Sequence, residues 1–280
     1  MTAGTAIIPK NRAKDWRIAP AIGRLAAGVY MALVALFLTV PVLVVILVSF
    51  DVAEYVQFPP TGLTLKWYSR ILASETMRLA IANSAIVGIC STAIAVTLGV
   101  PAAYLIARRN FYGRDALFAL LLSPLTIPWV VFGLALLNFW SALQLPRNLF
   151  AIVIAHAVMG LPYVVRTCAA VLVGTPVSFE LAARTLGANQ RRAFFLVTLP
   201  MMRMAIVAGA MFCLLISFIN VPVPLFLTTS STVTVQVAIF SQMLSNYDPT
   251  IAAISTVQLV MILLAFYAAQ RIANLREFLA

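Results

Sequence analysis

Five stretches of this chain, residues 25–50, 79–107, 116–146, 204–247 and 249–270, contain no Asp, Glu, Lys or Arg. No other feature constrains the fold as strongly. A helix needs about 20 apolar residues to cross roughly 30 Å of hydrocarbon. Inside lipid a segment must satisfy its own backbone groups, so runs of this length read as helices; a closed barrel would show short, alternating strands instead. Composition agrees, with 63% hydrophobic and only 10% charged residues among 280, where a soluble domain is about a quarter charged. The expected class is all-α: a polytopic transmembrane helical bundle.

Six spans are expected, at residues 25–50, 79–107, 116–140, 149–170, 204–227 and 249–271. The fourth is the shortest, since Arg166 interrupts the run that starts at Leu149. Within 204–247 the polar stretch Thr228 to Thr232 follows Pro222 and Pro224, which reads as one helix followed by an outer loop. The first run is too long for a signal-peptide core and lacks a small-residue cleavage site, so it reads as an anchor. If both ends are cytoplasmic, the outer side holds only Lys66, Arg70, Arg78 and Arg147 of the 19 Lys and Arg residues. That bias has the sign expected of cytoplasmic loops. The net charge of +11 is therefore read as topology, with no nucleic-acid partner. The layout is a cytoplasmic tail at 1–24, the first helix, an outer loop at 51–78, a core at 79–272 and a tail at 273–280. The basic segment Lys10 to Arg17 is read as a topology signal near anionic headgroups.

No acidic residue falls inside the proposed spans. Ion-coupled secondary transporters, the alternative class, usually place ionisable groups there. His156 is the only histidine, and no carboxylate or second histidine is near it in sequence to hold a metal. It reads as a helix–helix hydrogen-bonding or packing group. Cys90, Cys168 and Cys213 are isolated and read as small packing residues. No catalytic residue, metal site or bound cofactor is expected. Trp67, Tyr68, Trp129 and Trp140 read as interface anchors, with contact to a soluble partner the alternative for the outer-loop pair Trp67 and Tyr68, and Asp51 and Glu54 read as solvated loop residues.

The most informative segment is 175–200, between the fourth and fifth spans. Ser178 is placed to cap a short helix in which Phe179, Ala182, Ala183 and Leu186 share a face. Glu180 and Arg184 stand four apart and can pair. Gly187 suits a left-handed helix end, Asn189 can cap a second helix beginning at Gln190, and Pro200 marks the approach to the fifth span. A small helix–turn–helix lying across the cytoplasmic face is expected. It would serve either as a docking ledge or as an amphipathic connector at the headgroups.

This segment resembles the EAA loop of binding-protein-dependent ABC importer permeases, whose pattern is Glu-Ala-Ala, three residues, Gly, nine residues, an aliphatic residue, one residue, Leu-Pro. Ala182, Ala183, Gly187, Val197, Leu199 and Pro200 fall on it with matching spacing. Leu181 stands where the pattern has its glutamate, with Glu180 adjacent, a displacement of about 100° around a helix. Phe58 to Tyr68, Gly99 to Arg108 and Asn246 to Thr256 are also similar to segments of spermidine/putrescine-type permeases.

The resemblance implies a type I importer (MetI-like) fold in the bacterial inner membrane and a passage for a small polar solute. It implies ATP-binding cassette ATPase subunits carrying ATP and Mg, a second permease forming a heterodimer, and a periplasmic substrate-binding protein as partners. It further implies that Glu180, Ala182, Ala183, Arg184, Gly187, Leu199 and Pro200 form the ATPase-coupling loop. Polar residues inside spans are expected to face the bundle or the passage; the candidates are Asn83, Asn138, Ser217 and Asn220, with Ser84 beside Asn83. Polyamine-type relatives carry acidic residues after the Ser-Phe of the fifth span, where this chain has Ile219 and Asn220. The cargo classes that relatives carry include polyamines, opines or amino-acid derivatives, thiamine, phosphonates and ferric iron.

Overall fold

A computed structural model describes residues 15–245 and 248–275, with side chains from 23 to 271 within those limits. The expectations for Lys10 to Lys14, for Asn246 and Tyr247, and for the end of the C-terminal tail fall outside the described residues.

The described residues form helices and turns, with one isolated antiparallel bridge between Asp51 and Leu63. Helix α1 (Asp15–Val48) is apolar on every face from Leu25 onward, and from Gly23 its side chains are almost wholly exposed until Val48 and Ser49. A helix like this has its surface covered by lipid or by another chain. Its main helical neighbour is α13 (Thr250–Leu275). Between them in sequence, α2 (Lys66–Ala73) lies in the loop before α3 (Glu75–Arg108).

The centre of the molecule is three helices: α3, α6 (Leu149–Gly174) and α10 (Arg203–Ile219), which pack most extensively against one another. Small residues let them approach. A Cβ at Gly99 would come within 2.9 Å of Val164, one at Gly209 within 2.8 Å of the Val164 Cα, and one at Gly160 would collide with the Cys213 sulfur. Packing through small residues is how helices associate where water supplies no driving force. Pro101 and Pro162 sit inside α3 and α6 without ending them.

Two spans depart from straight helices. The run expected at 116–140 is α4 (Arg114–Leu122), a short 3₁₀ turn and α5 (Trp129–Ala142), bent by 104°. Pro124 and Pro128 explain the break: neither donates a backbone hydrogen bond, and each restricts the residue before it. The fifth span is bent by 69° where α10 begins, and α10 stops at Ile219, followed by α11 (Pro222–Leu227). The outer loop expected after Thr228 holds a further helix, α12 (Val235–Ser245), too short to span. Among the described residues, four helices are long and apolar enough to cross a membrane, or up to six spans if each bent pair is one.

Three expectations about single residues need correction. Asp51 is not solvated. It is fully buried, and its Oδ1 accepts from the Thr61 N–H (3.0 Å), the Thr61 hydroxyl (3.0 Å) and the Ala53 N–H (3.3 Å). Trp67 and Trp140 are buried rather than interfacial; the Trp67 indole donates to the Asp51 carbonyl at 2.7 Å. Cys90 is exposed on α3, while Cys168 and Cys213 are buried as expected.

Candidate functional site: the 175–200 loop and its anchors

Local chemistry places the loop. Helix α7 (Ser178–Thr185) starts without the side-chain cap expected from Ser178. It ends as expected, at Gly187 with φ +94°. Ala188 N–H donates to Ala183 C=O and Gly187 N–H to Arg184 C=O, both at 3.0 Å, the paired bonds of a left-handed helix end. Asn189 Oδ1 then accepts from the Arg192 N–H at 2.8 Å, capping α8 (Gln190–Ala193). A widened π-turn over Phe194–Thr198 leads into α9 (Leu199–Met201). Pro200 accounts for the widening, since it has no N–H for the carbonyl four residues back and its ring crowds that position.

The two faces of α7 differ. Val177, Phe179, Leu181 and Ala182 are exposed, and Leu186 beyond the helix is 90% exposed. Ala183 and Leu199 are half-buried, while Arg184, Gly187 and Pro200 are exposed. Glu180 turns the other way. Its side chain is 13% exposed and forms an ion pair with Arg108 at 3.1 Å, whose side chain is 7% exposed. Tyr104 Oη donates to the second carboxylate oxygen at 3.0 Å. The Arg108 Nη2 group also donates to the Thr175 carbonyl at 3.0 Å. The pairing of Glu180 with Arg184 does not form; α3 supplies the partner instead. Phe194 packs edge-on against Tyr104, with ring centroids 4.9 Å apart. Both arms of the loop therefore rest on the last two turns of α3.

Sequence reasoning missed Tyr104, Arg108 and Phe194. One signal was available: Glu180 is the single acidic residue between Asp115 and Asp248, and an isolated carboxylate beside an apolar bundle needs a cation.

The candidate passage residues separate into two groups. Asn83 is buried on α3, and its Nδ2 donates to the carbonyls of Ser231 (3.1 Å) and Val233 (2.9 Å). Ser84 accepts from the Val235 N–H at 2.8 Å. Ser217 bonds His156 Nδ1 at 2.8 Å across α10 and α6, the helix–helix role expected of that histidine. Asn220 is fully buried, and its Oδ1 accepts from the Val223 N–H at 2.9 Å, turning the chain into α11. These polar groups are engaged within the chain. Asn138, on α5, is exposed.

A family model described as the binding-protein-dependent transport system inner membrane component matches residues 95–276, about two thirds of the chain and all of the 175–200 loop. The chain belongs to that family. The permease is 27% identical over 253 residues to the spermidine/putrescine transport system permease protein PotC of Escherichia coli K12, covering 90% of this chain and 96% of that one. It is 29% identical over 227 residues to the putrescine transport system permease protein PotI of the same strain, covering 79% and 80%. In fold it is similar to a chain of a bacterial ABC transporter involved in the import of the acidic polysaccharide alginate, with a TM-score of 0.66, 18% identity, and coverage of 94% and 99%. The protein is thus a multi-pass inner-membrane permease of the ABC importer class, a transport subunit and not an enzyme.

Proposed function

We propose that this permease forms one half of the transmembrane passage of an ATP-driven importer and takes its energy through the 175–200 loop. The observation that carries this reading is the exposed apolar face of α7, set out by the Gly187 turn and left uncovered by the described residues. An apolar ledge at the polar end of a bundle fits a protein cleft better than water. The partner is an ATPase subunit holding ATP and Mg, and Ala182, Ala183, Arg184, Gly187, Leu199 and Pro200 shape the surface it meets. The loop then faces the cytoplasm, as do both termini, and a substrate-binding protein delivers cargo at the opposite face. The second permease is a different chain, so the passage lies between two unlike halves.

Within that passage Asn138 is the candidate contact, while Asn83, Ser217 and Asn220 set the shape of the wall. The cargo is a small polar solute. The relatives named above are spermidine/putrescine and putrescine permeases, and the solved structure of similar fold imports an acidic polysaccharide, so the fold itself does not fix the charge of the cargo. Gentle solubilisation, purification and mass spectrometry test the reading. An ATPase and a second permease should co-purify with the chain; repeated isolation without an ATPase, with uptake on an ion gradient alone, would overturn it.

A further inference from the structure

The docking loop is continuous in sequence with α6 and α10, yet its side chains hold α3, which precedes it by about 70 residues. The loop can move α3 indirectly, through the packing of α6 and α10 against it, but its direct contacts with α3 are few and specific. Glu180 uses one carboxylate oxygen for Arg108 and the other for Tyr104, Arg108 also holds the Thr175 carbonyl, and Phe194 packs on the Tyr104 ring. With both oxygens engaged and the pair largely shielded from water, the link resists pulling and pushing alike, where an exposed pair would be solvated and loose.

The other end of α3 is gripped as firmly. Asn83 and Ser84 hold Ser231, Val233, Val235 and Gln236. From residue 83 to residue 108 a helix spans roughly 38 Å at 1.5 Å per residue. One continuous helix therefore joins the docking loop to the segment that leads into α12.

We propose that Tyr104, Arg108 and Glu180 form a strut through which displacement of the docking loop moves α3 and, through Asn83 and Ser84, the 228–236 segment at the far end. Glu180 is then a positioning residue that faces inward, and the ATPase meets the opposite face of α7. The proposal rests on the docking reading above.

The test uses the whole importer complex in nanodiscs, with ATP and orthovanadate as the probe and hydrogen–deuterium exchange as the readout. In the wild-type complex, exchange should change together at 175–190, 101–110 and 228–236. In Glu180→Ala the change at 175–190 should persist, while the changes at 101–110 and 228–236 fall by at least half. Arg108→Lys, which keeps the charge, should retain most of the distant response. Tyr104→Phe, which removes one hydrogen bond and disturbs folding least, should give an intermediate loss.

A distant response in Glu180→Ala equal to wild type overturns the strut and leaves the docking reading intact. So does a wild-type complex that responds at 175–190 only. Loss of the ATPase from Glu180→Ala but not from Tyr104→Phe would make the carboxylate a direct ATPase contact, which also overturns it. Failure of the wild-type loop to hold an ATPase is a different result, since it removes the docking reading itself.

Discussion

The two ends of the bundle are built on different principles. At the far end, neutral groups bond at close range: Asn83 to two carbonyls, Ser84 to Val235 and Gln236, Tyr68 to Ser49, and Trp67 to the Asp51 carbonyl. The buried Asp51 is held by loop N–H and hydroxyl donors; the Lys66–Glu54 pair is exposed, and Arg70–Asp248 joins an exposed arginine to a carboxylate that is 13% exposed. At the docking end the principal tie is a shielded ion pair, and the apolar residues of α7 point outward. Many small neutral bonds fix a shape, because each can fail without consequence for the rest. A single charged tie concentrates the connection in one place, which suits a part that has to transmit movement.

The largest effect should come from Gly187→Asp. A side chain at φ +94° costs roughly 1–2 kcal/mol in backbone strain, and the turn sets the angle between α7 and α8. Transport should fall at least tenfold while the amount of chain in the membrane stays unchanged, measured by uptake and by immunoblot. Normal transport would show that the docking end tolerates a bent ledge and would erase the contrast between the two ends.

Asn83→Ala should be next. It leaves two carbonyls of the 231–233 turn without their donor, at a cost of about 2 kcal/mol. A lowered unfolding temperature in detergent, with ATPase binding retained, would confine the damage to the far end.

Acidification sharpens the comparison more gently. Burial raises the Asp51 pKa, but hydrogen bonds from Thr61 and Ala53 outweigh it and hold the carboxyl below its usual range. A depressed carboxylate stabilises the fold fully above its unfolded value, about pH 3.9, and this contribution fades as pH falls through the lower folded value. Protease resistance of the 51–65 loop should therefore drop below about pH 4. Asp51→Asn should start weaker at neutral pH and change less on acidification. Lys66→Ala, which removes the exposed pair with Glu54, should leave the unfolding temperature almost unchanged.

Much of the fold was legible because the chain writes it in long runs. Charge-free stretches mark the spans, and Gly187, Asn189 and Pro200 marked the turns of the docking loop by local chemistry alone. The 104° bend was hidden within a run that stays apolar across Pro124 and Pro128, since hydropathy records burial in lipid and is silent about direction. Helix α12 escaped because its 11 residues follow a polar stretch and fall short of a span. Asp51 looked solvated because its burial depends on Thr61, ten residues on, and on Trp67. The partner of Glu180 lay 72 residues away, beyond the reach of any local pattern.

The exposed α1 has a consequence for the order of synthesis. Its main helical neighbour, α13, is made about 200 residues later, which at 5–20 residues per second is an interval of roughly 10–40 s. Throughout that time α1 waits without the helix that will flank it. Helix α1 is thus among the last parts to acquire its neighbours, and a nascent permease stalled before α13 holds its three central helices beside an unescorted α1.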